Sequence, residues 1–314
     1  MKSGMSEREV SLRAPLARAG RCLLVTAALV SGLAAPVLAQ PDTAVTVTGL
    51  GTLTFPTSTT VPAAQQAFIR GVLLLHVFEY PDAADAFRDA EARDPGFALA
   101  YWGEAMTATH PVWNQQDVAQ ARAALAKLGA TPAARAAKAP TARERAYLAA
   151  VEILYGEGPK AHRDTLYSNA MRRVAESYPR DDEAQLFYAL SLLGLSQGVR
   201  NVPTYLRAAA IAESVFVRNP HHPGAAHYWI HGMDDPEHAS QALPAARALS
   251  GIAPDPGHAQ HMTSHIFVAL GMWDDVVSAN ESAMRMVDAM MRSRGQGPRL
   301  CGHYSEFLDY VPLA

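Results

Sequence analysis

The sequence predicts an all-α fold, a solenoid of helix hairpins behind a short β-containing N-terminal segment. Three observations carry this expectation. Helical periods rich in Ala, Leu and Glu begin at Ala63 and are broken by Pro at intervals. Small and bulky residues recur at the offsets of a 34-residue unit in two separate stretches. Finally, 49% of the 314 residues are hydrophobic and 18% are charged, a balance that can bury a continuous core and is too apolar for disorder.

The chain opens on a segment that reads as an address. Arg8, Arg13, Arg18 and Arg21 precede the apolar run Cys22 to Leu33, and Val37-Leu38-Ala39 supplies small or aliphatic positions for cleavage. This order predicts a signal peptide over 1–39, a mature start near Gln40 and a secreted or periplasmic protein. A membrane anchor is disfavoured, because the run falls short of the ~20 apolar residues needed to span and contains Ser31 and Gly32. No stable membrane insertion is expected after cleavage. In residues 40–62, the β-branched stretches Ala44 to Thr48 and Thr52 to Phe55 suit one or two short strands, which Pro56 and Pro62 end. Residues 63–314 form the repeat domain. With only two Cys, of which Cys22 leaves with the signal, neither a disulfide framework nor a Cys-rich zinc site is available. The net charge of −3 argues against a nucleic-acid partner.

Counted from Ala64, a 34-residue unit places Gly71 at position 8, Ala83 at 20, Phe87 at 24, Ala90 at 27 and Pro95 at 32. These are the positions of a tetratricopeptide repeat (TPR): small residues where two helices touch, an aromatic beside them, and Pro stopping the second helix. A unit from Ala98 continues the register. Units from Pro223 and Gly257 repeat it, with Ala242, Pro254, Gly271, Trp273 and Ala283 in place. Between them, 112–160 and 163–218 read as looser helix pairs, giving about five to six hairpins in a TPR-like α-solenoid.

Several motifs resemble those of exported bacterial tetratricopeptide-repeat proteins. They include Phe68 to Gly71, Leu74 to Phe78, Ala100 to Gly103, His110 to Trp113, His221 to His227, Asp234 to Ala239 and His261 to Phe267. The resemblance covers about residues 50–310. It implies fold and export, and transfers no mechanism, since the family carries no assigned activity. Family members tend to be longer at the C-terminus. Here a last helix opening at Cys301 is expected to end at Ala314 without a partner, which leaves an exposed edge or implies a truncated product.

Histidine is the informative residue type. Eight of the twelve lie between 221 and 265. In these repeats, positions 2, 5, 9 and 12 of the first helix face the concave groove. The register puts His227 and His231, with Asp234, on one such face, and His258, His261 and His265 on the next. His227 pairs with His261 and His231 with His265, and within each helix the two lie at i, i+4. Neighbouring helices pack ~8–10 Å apart, so the four imidazoles His227, His231, His261 and His265 are expected to converge on one transition metal, Zn, Cu or Fe. His258 and Asp234 are further candidate ligands, and Asp234, Asp235 or Glu237 can orient a ring. The spacing is not that of a zincin, because no Glu follows His227.

Weaker signals complete the groove. Trp102 and Met106 occupy groove positions 5 and 9 of an earlier unit and read equally well as core; Asp235 and His303 are the other candidate groove residues. His76 and His110 both fall at position 13, on one rim, where a ring caps a helix end. His221 and His222 read as a turn before Pro223. Three functions remain open. The first is a repeat protein binding a small molecule, peptide or partner protein in a metal-bearing groove. The second is a metal-dependent enzyme, a hydrolase or an oxidoreductase, using the same cluster. The third is a metal-free interaction scaffold.

Overall fold

The computed structural model describes residues 43–196, 199–298 and 303–309. The expected signal segment with its cleavage point, and Cys301, lie outside the described residues. The chain enters as an antiparallel hairpin of β1 (Val45–Val47) and β2 (Gly51–Leu53), with Val45 opposite Leu53. The helices that follow are α1 (Pro62–His76), α2 (Tyr80–Arg93), α3 (Ala98–Met106), α4 (Val118–Leu128), the short α5 (Pro132–Ala136), α6 (Ala142–Leu154) and α7 (Lys160–Ser177). After these come α8 (Asp182–Leu193), α9 (Val202–Arg218), α10 (Pro223–Met233), α11 (Leu243–Ile252), α12 (Gly257–Ala269), α13 (Trp273–Ser293) and α14 (His303–Leu308). Six hairpins pair α1 with α2, α3 with α4, α6 with α7, α8 with α9, α10 with α11 and α12 with α13. The fold is an all-α, TPR-like array of helix hairpins.

Close packing explains the register. Gly71 of α1 and Gly103 of α3 both face the Phe87 ring of α2, and a Cβ would lie 2.7 Å from that ring at Gly71 and 2.3 Å at Gly103. Ala83 and Ala90 are fully buried on the same face of α2. Helix starts carry their own signals. Asp117, Asp181 and Asn201 cap α4, α8 and α9, and Thr141 forms a capping box with Glu144 at α6.

The middle of the chain pairs differently from the expected boundaries. α4 completes the hairpin begun by α3, so 112–160 is not one helix pair. The register is lost because α3 is short and a loop intervenes, with a two-residue pairing of β3 (Thr109–His110) and β4 (Gln115–Gln116) around the turn Pro111–Trp113. Gly156 to Pro159 joins α6 to α7 within a hairpin rather than separating units.

The first helices of the hairpins pack on one another, so among the described residues the expected open concave groove is filled. Trp102 (α3) is fully buried, with ring centroids 5.3 Å from Tyr147 (α6) and 5.0 Å from Phe187 (α8). Met106 is also core, beside the Tyr167 hydroxyl of α7. Both are therefore packed in the core. Phe55 enters the same core, 5.0 Å from Phe68 and 5.9 Å from Trp102. The N-terminal segment straps across the hairpins. Thr52 N–H donates to His221 O at 2.9 Å, Asp255 N–H to Gly49 O at 3.3 Å, and Ser58 N–H to Glu144 Oε1 at 2.7 Å.

Overpacking this register is expected to destabilise the fold. Gly103→Ala and Ala83→Leu should each lose ~1–3 kcal/mol, read as a lower melting temperature; unchanged melting in both would remove the Phe87 contact as the basis of the repeat.

Candidate metal centre

α10 and α12 carry the histidine cluster. Pro223 opens α10, and His222 caps it, its Nδ1 accepting from Ala225 N–H at 3.4 Å. His227 and His231 then share one face of α10, and His258, His261 and His265 share one face of α12. Gly257 lets α12 approach α13 closely, since a Cβ there would lie 2.7 Å from Val287.

The structure sorts the polar groups into three sets, in each of which one potential ligand atom per residue lies within 4.8 Å of the others: His227, His231 and His258; His261, His265 and His303; and His76, Glu183 and His222. The hydrogen bonds separate their roles.

The set around Glu183 is complete without an ion. His222 Nδ1 accepts from the backbone, so its Nε2–H donates to Glu183 Oε1 at 2.8 Å. His76 Nε2–H donates to Glu183 Oε2 at 2.7 Å, and its Nδ1 accepts from the Tyr228 hydroxyl at 2.9 Å. All three side chains are fully buried. Burial alone would raise the Glu183 carboxyl, but the two imidazoles outweigh it and hold it down at about 2. Burial likewise lowers His76, against the pull of Glu183. His76, expected on a rim, and His222, expected in a turn, are core partners of one carboxylate.

The His227 set is incomplete. His227 Nδ1–H donates at 2.6 Å to the backbone carbonyl of His76, which is free because α1 ends there. Its Nε2 therefore presents a bare lone pair. In His227, His231 and His258 alike, Nε2 is buried and lacks a hydrogen-bond partner among the described residues. Burial pushes His227 down to about 3, and pushes His231 and His258 well below the usual imidazole range, with repulsion between the rings adding to it. These rings are neutral, the form that binds metal.

The third set is fixed from outside. Asn280 of α13 donates its amide to Val276 O at 2.9 Å, so its Oδ1 must accept the Nδ1–H of His261, at 2.6 Å. His265 Nδ1–H donates to Asp234 Oδ2 at 2.7 Å. Burial drives His261 down to about 2. His303, on α14, lies with its ring centroid 4.5 Å from His261 and 6.1 Å from His265. Tyr304 and Phe307 also pack on His261, at 4.7 and 4.6 Å, so α14 rests on α12 while none of its described residues is buried.

The expected four-histidine set thus divides. His258 faces the α10 pair, while His261 turns toward α13, drawn by Asn280. Asp234 orients a ring. Asp235 accepts from His238 Nδ1 within its own loop at 2.7 Å and from Arg200, ahead of α9, at 2.9 Å. Glu183 and Asn280 were not signalled by spacing; a polar residue inside an apolar helix face is the only sign of either.

A cavity of about 550 Å³ adjoins the cluster, walled by Phe78, Tyr80, Trp113 and Met290, with His258 and His303 at its edge. Phe78 sits in the left-handed region at φ 59°, at the position after α1 where Gly is favoured. Glu79 N–H donates to Leu74 O and Phe78 N–H to Leu75 O, closing the helix end. The ring lies 4.4 Å from His227, 5.6 Å from His231 and 5.5 Å from His258. An aromatic side chain held in this conformation costs ~1–3 kcal/mol, and here it walls all three rings.

No family model and no curated protein matches the chain. Among solved structures, the chain is similar to the TPR domain of P58(IPK) over 80% of its own length and 65% of that chain, with 12% identity and a TM-score of 0.29. A likeness at that level assigns no function.

Two outcomes test the buried polar frame. Glu183→Ala leaves two imidazoles facing an apolar gap and is expected to cost ~3–5 kcal/mol in denaturant unfolding. The lowered folded-state values mean that the unfolded chain binds more protons. Stability of the metal-free protein should therefore fall as pH drops below the ordinary histidine value of 6.5. An unfolding midpoint unchanged between pH 7.5 and 5 would contradict neutral buried rings.

Proposed function

We propose that the protein binds a transition metal, Zn, Cu or Fe, at His227, His231 and His258, and presents it to a small apolar molecule in the adjoining cavity. One observation carries this reading: three neutral, buried Nε2 atoms on neighbouring rings have no partner. Leaving one buried polar nitrogen unsatisfied costs ~1–3 kcal/mol, and a ligand that engages all three relieves that cost. A cation coordinated at ~2.0–2.1 Å does so. An all-imidazole set suits Zn, Cu or Fe better than Mg or Ca, which prefer oxygen.

A second reading, a metal-dependent enzyme, is favoured by the ligand number. Three protein ligands beside a cavity leave one coordination position open, as catalytic sites do, whereas structural zinc sites are closed by four. In this reading Asp234 orients His265, to which it is hydrogen-bonded. A role as a metal-free scaffold for partner proteins gives the three unpartnered nitrogens no use. Export through the leader of 1–39 belongs to the proposal, and the metal is then acquired outside the cytoplasm.

Protein purified without a histidine tag is expected to carry bound metal by elemental analysis. His231→Ala and His258→Ala should each lose the ion held by this triad while keeping helicity, a larger effect than the ~10–100-fold typical of losing an outer hydrogen-bond partner. Wild-type protein without metal after exposure to Cu(II) and Zn(II) would overturn the reading.

A further inference from the structure

We infer that His261, His265 and His303 hold a second transition-metal ion, so that the protein carries a dinuclear centre with one edge on the cavity. This rests on the metal-binding reading of the first triad. The carrying observation is the approach of His261 Nε2 to His265 Nε2, 3.1 Å apart. Both rings spend their Nδ1–H on fixed acceptors, Asn280 Oδ1 and Asp234 Oδ2. With its Nδ1–H given to Asn280, His261 turns the lone pair of Nε2 toward His265 and into the set. Two nitrogens on one tetrahedral ion with ~2.0–2.1 Å bonds stand about 3.3–3.4 Å apart, close to the spacing seen. A cation between them would be held by both nitrogens.

His303 completes the set from α14, and Tyr304 and Phe307 seat that helix on the His261 ring. Outward hydrogen bonds from Nδ1 to an amide oxygen and a carboxylate are what orients imidazole ligands in metal sites. The two triads are neighbours: His258 lies 6.1 Å from His261, and His231 lies 6.2 Å from His265, between ring centroids. His258 and His303, one from each triad, both border the cavity, so a ligand there meets both ions.

The test is copper(II) titration of untagged protein, counted by elemental analysis after gel filtration and read by electron paramagnetic resonance. Wild type is expected to retain two equivalents, with an integrated Cu(II) signal well short of its copper content because neighbouring ions couple. His303→Ala removes an exposed ligand and should retain one equivalent, whose signal accounts for all the copper, with an unchanged melting temperature in the metal-free state. His258→Ala should also retain one. One equivalent in wild type, lost in His258→Ala and kept in His303→Ala, overturns the second site and leaves the first standing. One equivalent with the opposite pattern overturns the first-triad reading and with it the dinuclear centre. Two equivalents in His303→Ala overturn its role as a ligand, and no bound copper in any protein overturns both proposals.

Discussion

Inside the hairpin array, the Glu183 carboxylate takes one N–H from His76 and one from His222, and the rest of the cluster is built outward from that contact. Neither imidazole meets water, so each must place both ring nitrogens against a protein partner. His222 does so by capping α10, which sets where that helix begins. His76 does so by accepting from Tyr228, one turn into α10. The contact therefore ties α1, α8 and α10 together with defined rotations about their axes. Gly224 belongs to the same constraint, because a Cβ there would lie 2.5 Å from His76 Nδ1.

The end of α1 carries that order into the histidine triad. Once the His76 ring is fixed, its carbonyl, left without an intrahelical donor, is fixed too, and it selects the tautomer of His227. Two residues later Phe78 turns back in a left-handed conformation, putting its ring against His227, His231 and His258. Gly would relieve the backbone but supply no wall. A local rule is broken at the point where the fold meets the candidate site, which is where strain tolerated for function is found.

Much of this was legible in the sequence, and the failures have physical causes. The hairpins followed from Gly71, Ala83 and Phe87, because helix contact distance is written in residue size at fixed offsets. The loop between α3 and α4 broke the count, since an insertion changes spacing without changing any rule. Periodicity put His227, His231, His261 and His265 on inward faces, yet could not say which neighbour each would meet. That choice belongs to Asn280, which lies on a different hairpin and claims the His261 proton. Likewise, nothing local marks Glu183 as the partner of two rings separated from it by 107 and 39 positions. Trp102 and Met106 show the limit of register alone. The same positions that line an open groove in a shallow array become core when the first helices close on one another.

Three histidine-bearing clusters lie within one set of helices, two of them buried and one reaching the surface at His303, and the contrast between them is itself informative. Around Glu183 the donors and acceptors balance: two imidazoles give their protons to one carboxylate and find donor partners, the Tyr228 hydroxyl and the Ala225 N–H, on the other side. Around His258 and around His261 no carboxylate lies inside the set, and the protons whose acceptors are known point away from it, toward His76 O, Asn280 and Asp234. A core selected only for stability would fill such positions with apolar side chains, since unpaired buried acceptors are costly and apolar replacements of the same shape are not. The protons of His227, His261 and His265 that the structure assigns are turned outward, so the opposite ring nitrogens face the interior of each set, which is the arrangement the proposed metal sites need.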